Sequence, residues 1–397
     1  MGKIMSFRLS IKTLFCLTVF LVPALCTGQV IKHPDSGQRL SSRLEWAFGE
    51  VSRGNLTGEY WIGYSVSCLM GEYSWIYSTK KNTFHGNLNF GRNFKGQPLR
   101  DILSGKKPAS SPAAGPKEVR QAAREALDRM ENSPTGEKKV KKDVAVLFLF
   151  DSKDHKGRQS RNGPSEIVIL NTDLPFEGRH HAVIWMGPAE ENESISLLEE
   201  IFKKEKTDHL KKRLLTAVGL HSGSERAVSF LLSVFNGREA EDIRRTAAFE
   251  LGDTSHPAAL QPLWTAALKD KSIRIRKAAT YALEDMKLPG AVDALIDIAR
   301  HSDSREIRKA AVSTLGDIAS RQAADELEKI VYSDDDTEVQ KRAVSAIEDL
   351  PEEMGLPMLI KIAKTHPQPS IRKRAIACLG DSENPRALDT LIEILKK

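Results

Sequence analysis

Ile307-Arg308-Lys309-Ala310-Ala311-Val312-Ser313-Thr314-Leu315-Gly316-Asp317 is the stretch that decides the fold. Ile307, Ala311 and Leu315 are four residues apart, so they share one stripe of an α-helix. The stripe recurs 32 residues earlier as Ile275, Ala279 and Leu283, and 32 residues later as Val339, Ala343 and Ile347. Ile243, Ala247 and Leu251 extend it backwards, and Ile371, Ala375 and Leu379 forwards. A leucine column keeps the same period at Leu231, Leu263, Leu295, Leu327, Leu359 and Leu391. Such a period marks a stack of repeated helical units. The Ile-Ala-Leu stripe is the second helix of each pair and the leucine column the first. Alanine at the centre lets neighbouring helices approach closely. Gly252, Gly316 and Gly380 are expected to end their helices in a left-handed cap. The column Asp253, Asp285, Asp317, Asp349, Asp381 is expected to open the turn or cap the next helix.

The pattern Ile-Arg-Arg/Lys-x-Ala-x-x-x-Leu-Gly-Asp resembles HEAT repeats of the phycobilisome-lyase-like type, over residues 194–397. The resemblance implies an all-α solenoid and binding through an extended surface. It also implies a ladder in which an Arg near the start of each second helix bonds an Asp in the turn before it. Asp270 with Arg276 and Asp303 with Arg308 fit that pattern, and Gln340 departs from it. Deoxyhypusine hydroxylase, another HEAT-repeat protein, holds two irons with His-Glu pairs, and none of the ten histidines here is followed by Glu. The ends of the array differ from its middle. Leu198 lies 33 residues before Leu231, and Leu214 replaces the column alanine, so the first repeat is looser. Asp389, Glu393 and Lys396 predict a polar outer side for the last helix.

The rest of the chain is of another kind. Lys3, Arg8 and Lys12 precede the apolar run Thr13–Leu25, and small residues follow, so residues 1–28 read as a secretory signal peptide. Cys26 offers a lipid-anchor alternative that Leu25 disfavours, because lipoprotein signals carry a small residue just before the cysteine. The expected location is therefore exported, periplasmic or secreted, with no transmembrane segment after signal removal. Loss of three basic and no acidic residues lowers the formal charge from +6 to +3, which argues against nucleic acid. Only Cys68 and Cys378 remain, so there is no disulfide framework.

Residues 29–190 are expected to form a small β-rich α+β module or two β-rich lobes, and 191–397 the solenoid. Glu59–Val66 and Ser74–Thr79 read as a hairpin, and 143–150, 166–170 and 182–186 as further strands. A linker is expected at 104–116, a helix across Val119–Met130 and a basic loop at 134–142.

Catalytic constellations and cofactor motifs are not evident. His180-His181 lack two further metal ligands at usable spacing. Asp151–Gly157 lacks the alternating acids and closing Glu of a calcium loop. Cys68 could be a nucleophile but is more simply a structural cysteine, and Cys378 a small packing residue. Asn55-Leu56-Thr57 and Asn192-Glu193-Ser194 match glycosylation acceptors. The aromatic cluster Tyr60, Trp61, Tyr64, Tyr73, Trp75 and Tyr77 is either a sheet core or a small-ligand or catalytic site, with the solenoid as a docking arm.

One surface pattern stands out. Arg245, Lys277, Lys309, Lys341 and Lys373 form a basic column on the second helices, away from the core stripe, with Phe249 and Tyr281 one turn beyond its first two members. It is either a basic concave groove for an anionic or extended peptide partner, or a solvated face neutralised by Asp242, Glu306 and Glu338 three residues earlier. The function these features favour is an exported, non-enzymatic protein-binding scaffold.

Overall fold

The computed structural model describes residues 29–35, 37–54, 56–71, 74–78, 83–87, 97–106, 139–152, 163–174 and 176–396. The expected signal peptide, the helix across 119–130, the calcium-like loop beyond Ser152, and most of the linker lie outside them. The chain divides after Leu197 into two compact units.

The first unit is built on one seven-stranded mixed sheet, not two lobes. Its strands are β1 (Val30–Lys32), β2 (Glu59–Gly71), β3 (Ser74–Ser78), β4 (Thr83–Asn87), β5 (Lys139–Asp151), β6 (Glu166–Asn171) and β7 (Ala182–Pro188). They lie in the order β1-β7-β2-β5-β6-β3-β4. The expected hairpin of 59–66 with 74–79 does not form. β2 is 13 residues long and apolar on both faces, so it needs a long partner on each side. It pairs antiparallel with the equally long β5 and parallel with β7. Five-residue β3 pairs with β4 and β6 instead. The register of β2 against β5 also corrects the basic loop. Lys139, Lys141 and Lys142 belong to β5, opposite Gly71, Leu69 and Cys68.

Helices α1 (Leu40–Arg53) and α2 (Leu99–Leu103) were not legible as such. Leu99 joins Trp61, Leu147, Leu170, Phe176 and Trp185 in the core on one face. On α1, Leu40, Arg43 and Ala47 are buried. Arg43, 1% exposed, donates Nη1 to the carbonyls of Met186 (2.7 Å) and Pro188 (2.6 Å), and Nη2 lies 3.4 Å from Glu193 Oε2. The guanidinium thereby satisfies carbonyls where β7 leaves the sheet, which an apolar side chain could not do.

The second unit is a run of helices. Counting from α3 (Glu191–Lys204), they are α4 (Asp208–Gly219), α5 (Glu225–Phe235), α6 (Glu241–Thr254), α7 (Pro257–Lys269), α8 (Ile273–Asp285), α9 (Pro289–His301), α10 (Arg305–Ile318), α11 (Arg321–Ser333), α12 (Thr337–Glu348), α13 (Glu352–Thr365), α14 (Pro369–Asp381) and α15 (Pro385–Leu395). The Ile/Val and alanine columns fall on α6, α8, α10, α12 and α14, and all ten side chains are at most 1% exposed.

The glycines do different work from that expected. Gly252 and Gly316 lie inside α6 and α10, where a Cβ would sit 2.4 Å from the Ala282 carbonyl oxygen and 2.9 Å from the Ala346 Cβ. They are the points where the next repeat's second helix comes closest. The left-handed caps fall three residues later, on Ser255 (φ 48°) and Ala319 (φ 52°), whose N–H groups donate to the Gly252 and Gly316 carbonyls. No neighbour stands within 4 Å of that position at Gly380. On α15, Leu388, Ile392 and Leu395 are exposed, so that helix does not present the polar side expected of it.

The arginine ladder runs the other way from the expected one. Arg244 donates Nε to the Phe235 carbonyl (2.7 Å) in its own repeat and Nη2 to Asp270 (2.5 Å) in the next. Arg276 likewise takes the Ala267 carbonyl (3.1 Å) and reaches Asp303 (2.6 Å). Arg308 donates to the Ser302 carbonyl (3.1 Å) and lies 3.5 Å from Asp334. Asp270 and Asp303 are therefore bound by Arg244 and Arg276 of the preceding repeat, not by Arg276 and Arg308. The reason is the unpaired carbonyl at the end of each first helix, which takes the near side of the fork and leaves the far side to bridge forward.

At Gln340 the charge pair is replaced. Gln340 Nε2 donates to the Asp334 carbonyl (2.7 Å), and its buried Oε1 has no partner among the described residues. The Val331 carbonyl, equivalent to those of Phe235 and Ala267, is met by His366 Nε2 at 3.0 Å. His366 occupies the position of Asp270 and Asp334, and its Nδ1 accepts from the Gln368 N–H at 3.2 Å. That pair of bonds assigns the Nε2–H tautomer. A Gln340→Arg/His366→Asp exchange should rebuild the ion pair. In a double-mutant cycle read by chemical denaturation, the two changes together should be about 1–3 kcal/mol more stable than the sum of the singles. Additive singles would show that the positions do not communicate.

Candidate partner-binding face

The second helices of five consecutive repeats show the same three-step stripe to solvent. On α6 it reads Arg245, Phe249, Asp253, and on α8 Lys277, Tyr281, Asp285. Lys309, Ser313, Asp317 follow on α10, Lys341, Ser345, Asp349 from α12, and Lys373, Ala377, Asp381 on α14. Members are four residues apart, so the basic and acidic ends are separated by about 12 Å along each helix. Stacking the repeats turns the stripes into parallel rows.

The predicted basic column is thus brought together as one row. Arg245 is paired with Asp242 at 3.0 Å and Lys341 with Glu338 at 2.8 Å. The expected Lys309–Glu306 pair is not formed among the described residues. The Lys277 ammonium lies 5.9 Å from the Tyr281 ring centre, a long cation–π contact. Lys277 and Lys373 are exposed and have no ion pair among the described residues. Phe249 and Tyr281 are half-buried between the rows. Further along, Arg342 Nε donates to Ser313 Oγ (2.5 Å) and Arg374 Nε to Ser345 Oγ (3.0 Å), so guanidinium groups floor the same strip.

The aspartate row is the part that sequence reasoning missed. None of its members caps a helix through its side chain. Each lies at the C-terminal end of a second helix, where the helix dipole disfavours negative charge. All five are exposed, and none has an ion pair or side-chain hydrogen bond among the described residues. Asp253 is pushed up to about 6, first by desolvation among the helix ends and then by repulsion from Asp285. Asp285 is raised by desolvation, and neighbouring Glu284 by desolvation and then by Asp317 and Asp285. The signal was present in the sequence as an acidic residue at every helix end, but a turn role explained it equally well.

The other candidate residues are dispersed. Tyr60, Trp61 and Tyr64 are at most 4% exposed, in the sheet core. Of the rest of that cluster, Tyr73 and the side chains of Trp75 and Tyr77 lie outside the description. Burial pushes the Cys68 and Cys378 thiols up to about 12, so neither holds a thiolate near neutrality. His180 is exposed, and His181 Nε2 is 3.4 Å from Glu59 Oε2. Ser194 of the second glycosylation match is buried inside α3 against the Tyr64 hydroxyl at 3.0 Å, a position an acceptor site does not take. Asn55 of the first lies outside the description. Among the described residues there is no group of His, Cys, Asp or Glu fit to hold a metal, and no helix long and apolar enough to cross a membrane.

Comparison with known proteins bears on the solenoid. A family model of HEAT repeats matches residues 228–316, 264–348 and 324–397. Residues 228–397 are a HEAT-repeat array. No curated protein matches the chain in sequence. Among solved structures, the CpcE–CpcF complex of phycocyanin lyase from Nostoc sp. PCC7120 is 24% identical, covering 38% of this chain and 97% of that one, with a TM-score of 0.31. Human deoxyhypusine hydroxylase is 18% identical, covering 51% and 77%, with a TM-score of 0.23. HEAT arrays suit protein partners.

One buried acid beside the face gives the array a pH dependence. Glu250 accepts from the Thr216 hydroxyl at 2.7 Å, and Gly219 leaves room for its carboxylate. Desolvation raises it from the ordinary 4.5 to about 8, against the Thr216 bond and with added repulsion from Asp253. The folded form therefore holds the proton more tightly than the unfolded form. Its stability is greatest below the unfolded value and falls as pH rises from about 4.5 to about 8. The limiting slope is about 1.4 kcal/mol per pH unit. Glu250→Gln should flatten thermal midpoints over that window and raise the midpoint at pH 8. An unchanged profile would remove Glu250 as the cause.

Proposed function

We propose that this protein is an exported scaffold that binds an anionic protein segment on the basic row of its second-helix face. What carries the reading is the row itself: five cations in register on five successive HEAT repeats, two of them without ion pairs among the described residues. Fixed positive charge along a repeat array attracts an acidic chain and sets its direction. The first unit acts as a second, separate surface.

A fluorescein-labelled polyglutamate peptide, titrated into the full chain at low salt, should bind with an affinity that falls as salt rises. Lys277→Glu/Lys373→Glu should weaken it at least tenfold, at about 1.4 kcal/mol per factor of ten. Binding unaffected by this reversal would sink the proposal. For export, expression with residues 1–28 present should yield a secreted chain whose N-terminus falls between Cys26 and Gln29. An uncut chain retained in the cell would remove that part.

A further inference from the structure

We infer that the second-helix face is built for a partner α-helix of mixed charge, acidic along one flank and basic along the other, lying across the repeats between the two rows. This rests on the function proposed above and adds the aspartate row to it.

The argument starts from the aspartates. Asp253, Asp285, Asp317, Asp349 and Asp381 are exposed, uncapped and without cation partners among the described residues. They stand at the helix ends least favourable to them and repel one another along the row, Asp285 acting on Asp253 and Asp317 on Glu284. Packing requires none of this, since the neighbouring columns already fill the core. A residue type repeated at a cost to stability in every repeat is placed for something outside the fold. Opposite the acids, one helical stripe away, stand the five cations. The face thus offers charges of both signs about 12 Å apart, close to the diameter of an α-helix with its side chains, about 10–12 Å.

Spacing along the rows separates a helix from an extended chain. Packed helices lie about 8–10 Å apart, so the rows repeat at that distance. An α-helix covers it in six to seven residues, about two turns, and returns a side chain to the same flank. An extended strand covers it in about three residues, and its side chains alternate, so successive contacts would fall on opposite flanks. Only the helix keeps one sign on one row through five repeats. Its central stripe would lie on Phe249 and Tyr281 at one end and over Ser313, Ser345 and Ala377 at the other.

The test uses the full chain and three labelled synthetic helices of about four heptads. One carries Glu on one flank and Lys on the other, one Glu on both flanks, one Lys on both. Fluorescence anisotropy should show the mixed helix binding at least tenfold tighter than either uniform helix. Asp285→Asn/Asp317→Asn should cost the mixed helix at least tenfold and leave the Glu-only helix as tight or tighter. The same variant should keep or raise its thermal midpoint, whereas a structural role for the aspartates would lower it. Equal binding of mixed and Glu-only helices would overturn this inference and leave the basic-row function standing. Failure of all three helices and of polyglutamate would overturn both. Salt-sensitive self-association abolished by the same substitutions would make the occupant a second copy, and would also overturn it.

Discussion

The array depends on how closely consecutive second helices can approach. Gly252 against Ala282 and Gly316 against Ala346 leave no room for even a methyl group, and the buried alanine column holds the rest of that surface flat. Small residues are therefore required there, whatever partner the protein binds. Because the approach is fixed, the residues projecting the other way fall into straight rows. A looser interface would let the repeats slip, and a charge on one would not align with the charge on the next.

The arginine ladder belongs to the same constraint. A guanidinium at the start of each second helix holds its own first helix by a carbonyl and the next repeat by a carboxylate. A fork of five donors can do both at once, which a lysine cannot. Where glutamine interrupts the series, histidine arrives at the position one repeat on and takes the carbonyl that the arginine would have taken. The joint keeps its hydrogen bonds and gives up its charge.

The first unit follows different rules. Its sheet is buried on both faces, so its aromatic residues serve as core, and its one buried cation, Arg43, is spent on carbonyls at the exit of β7. Strand pairing there is governed by length: thirteen residues of β2 find thirteen of β5 across a long excursion of the chain. The alternation of Tyr60, Ile62, Tyr64 with Trp61 and Gly63 announces a strand, but nothing local announces which strand it will meet.

The sequence by itself determined the helical array, its 32-residue register, the core columns and the basic row, because these follow from periodicity, which is local and repeated. Tertiary structure decided which arginine meets which aspartate, because a long side chain can reach either of two turns equally near in sequence. It decided that the glycines are contact points and not caps, since only a neighbouring backbone shows what a Cβ would strike. It decided the order of the sheet, where partners lie up to about a hundred residues apart. It also showed that the aspartates at the helix ends are left without partners among the described residues, a fact about the space around a side chain, which no column of letters contains.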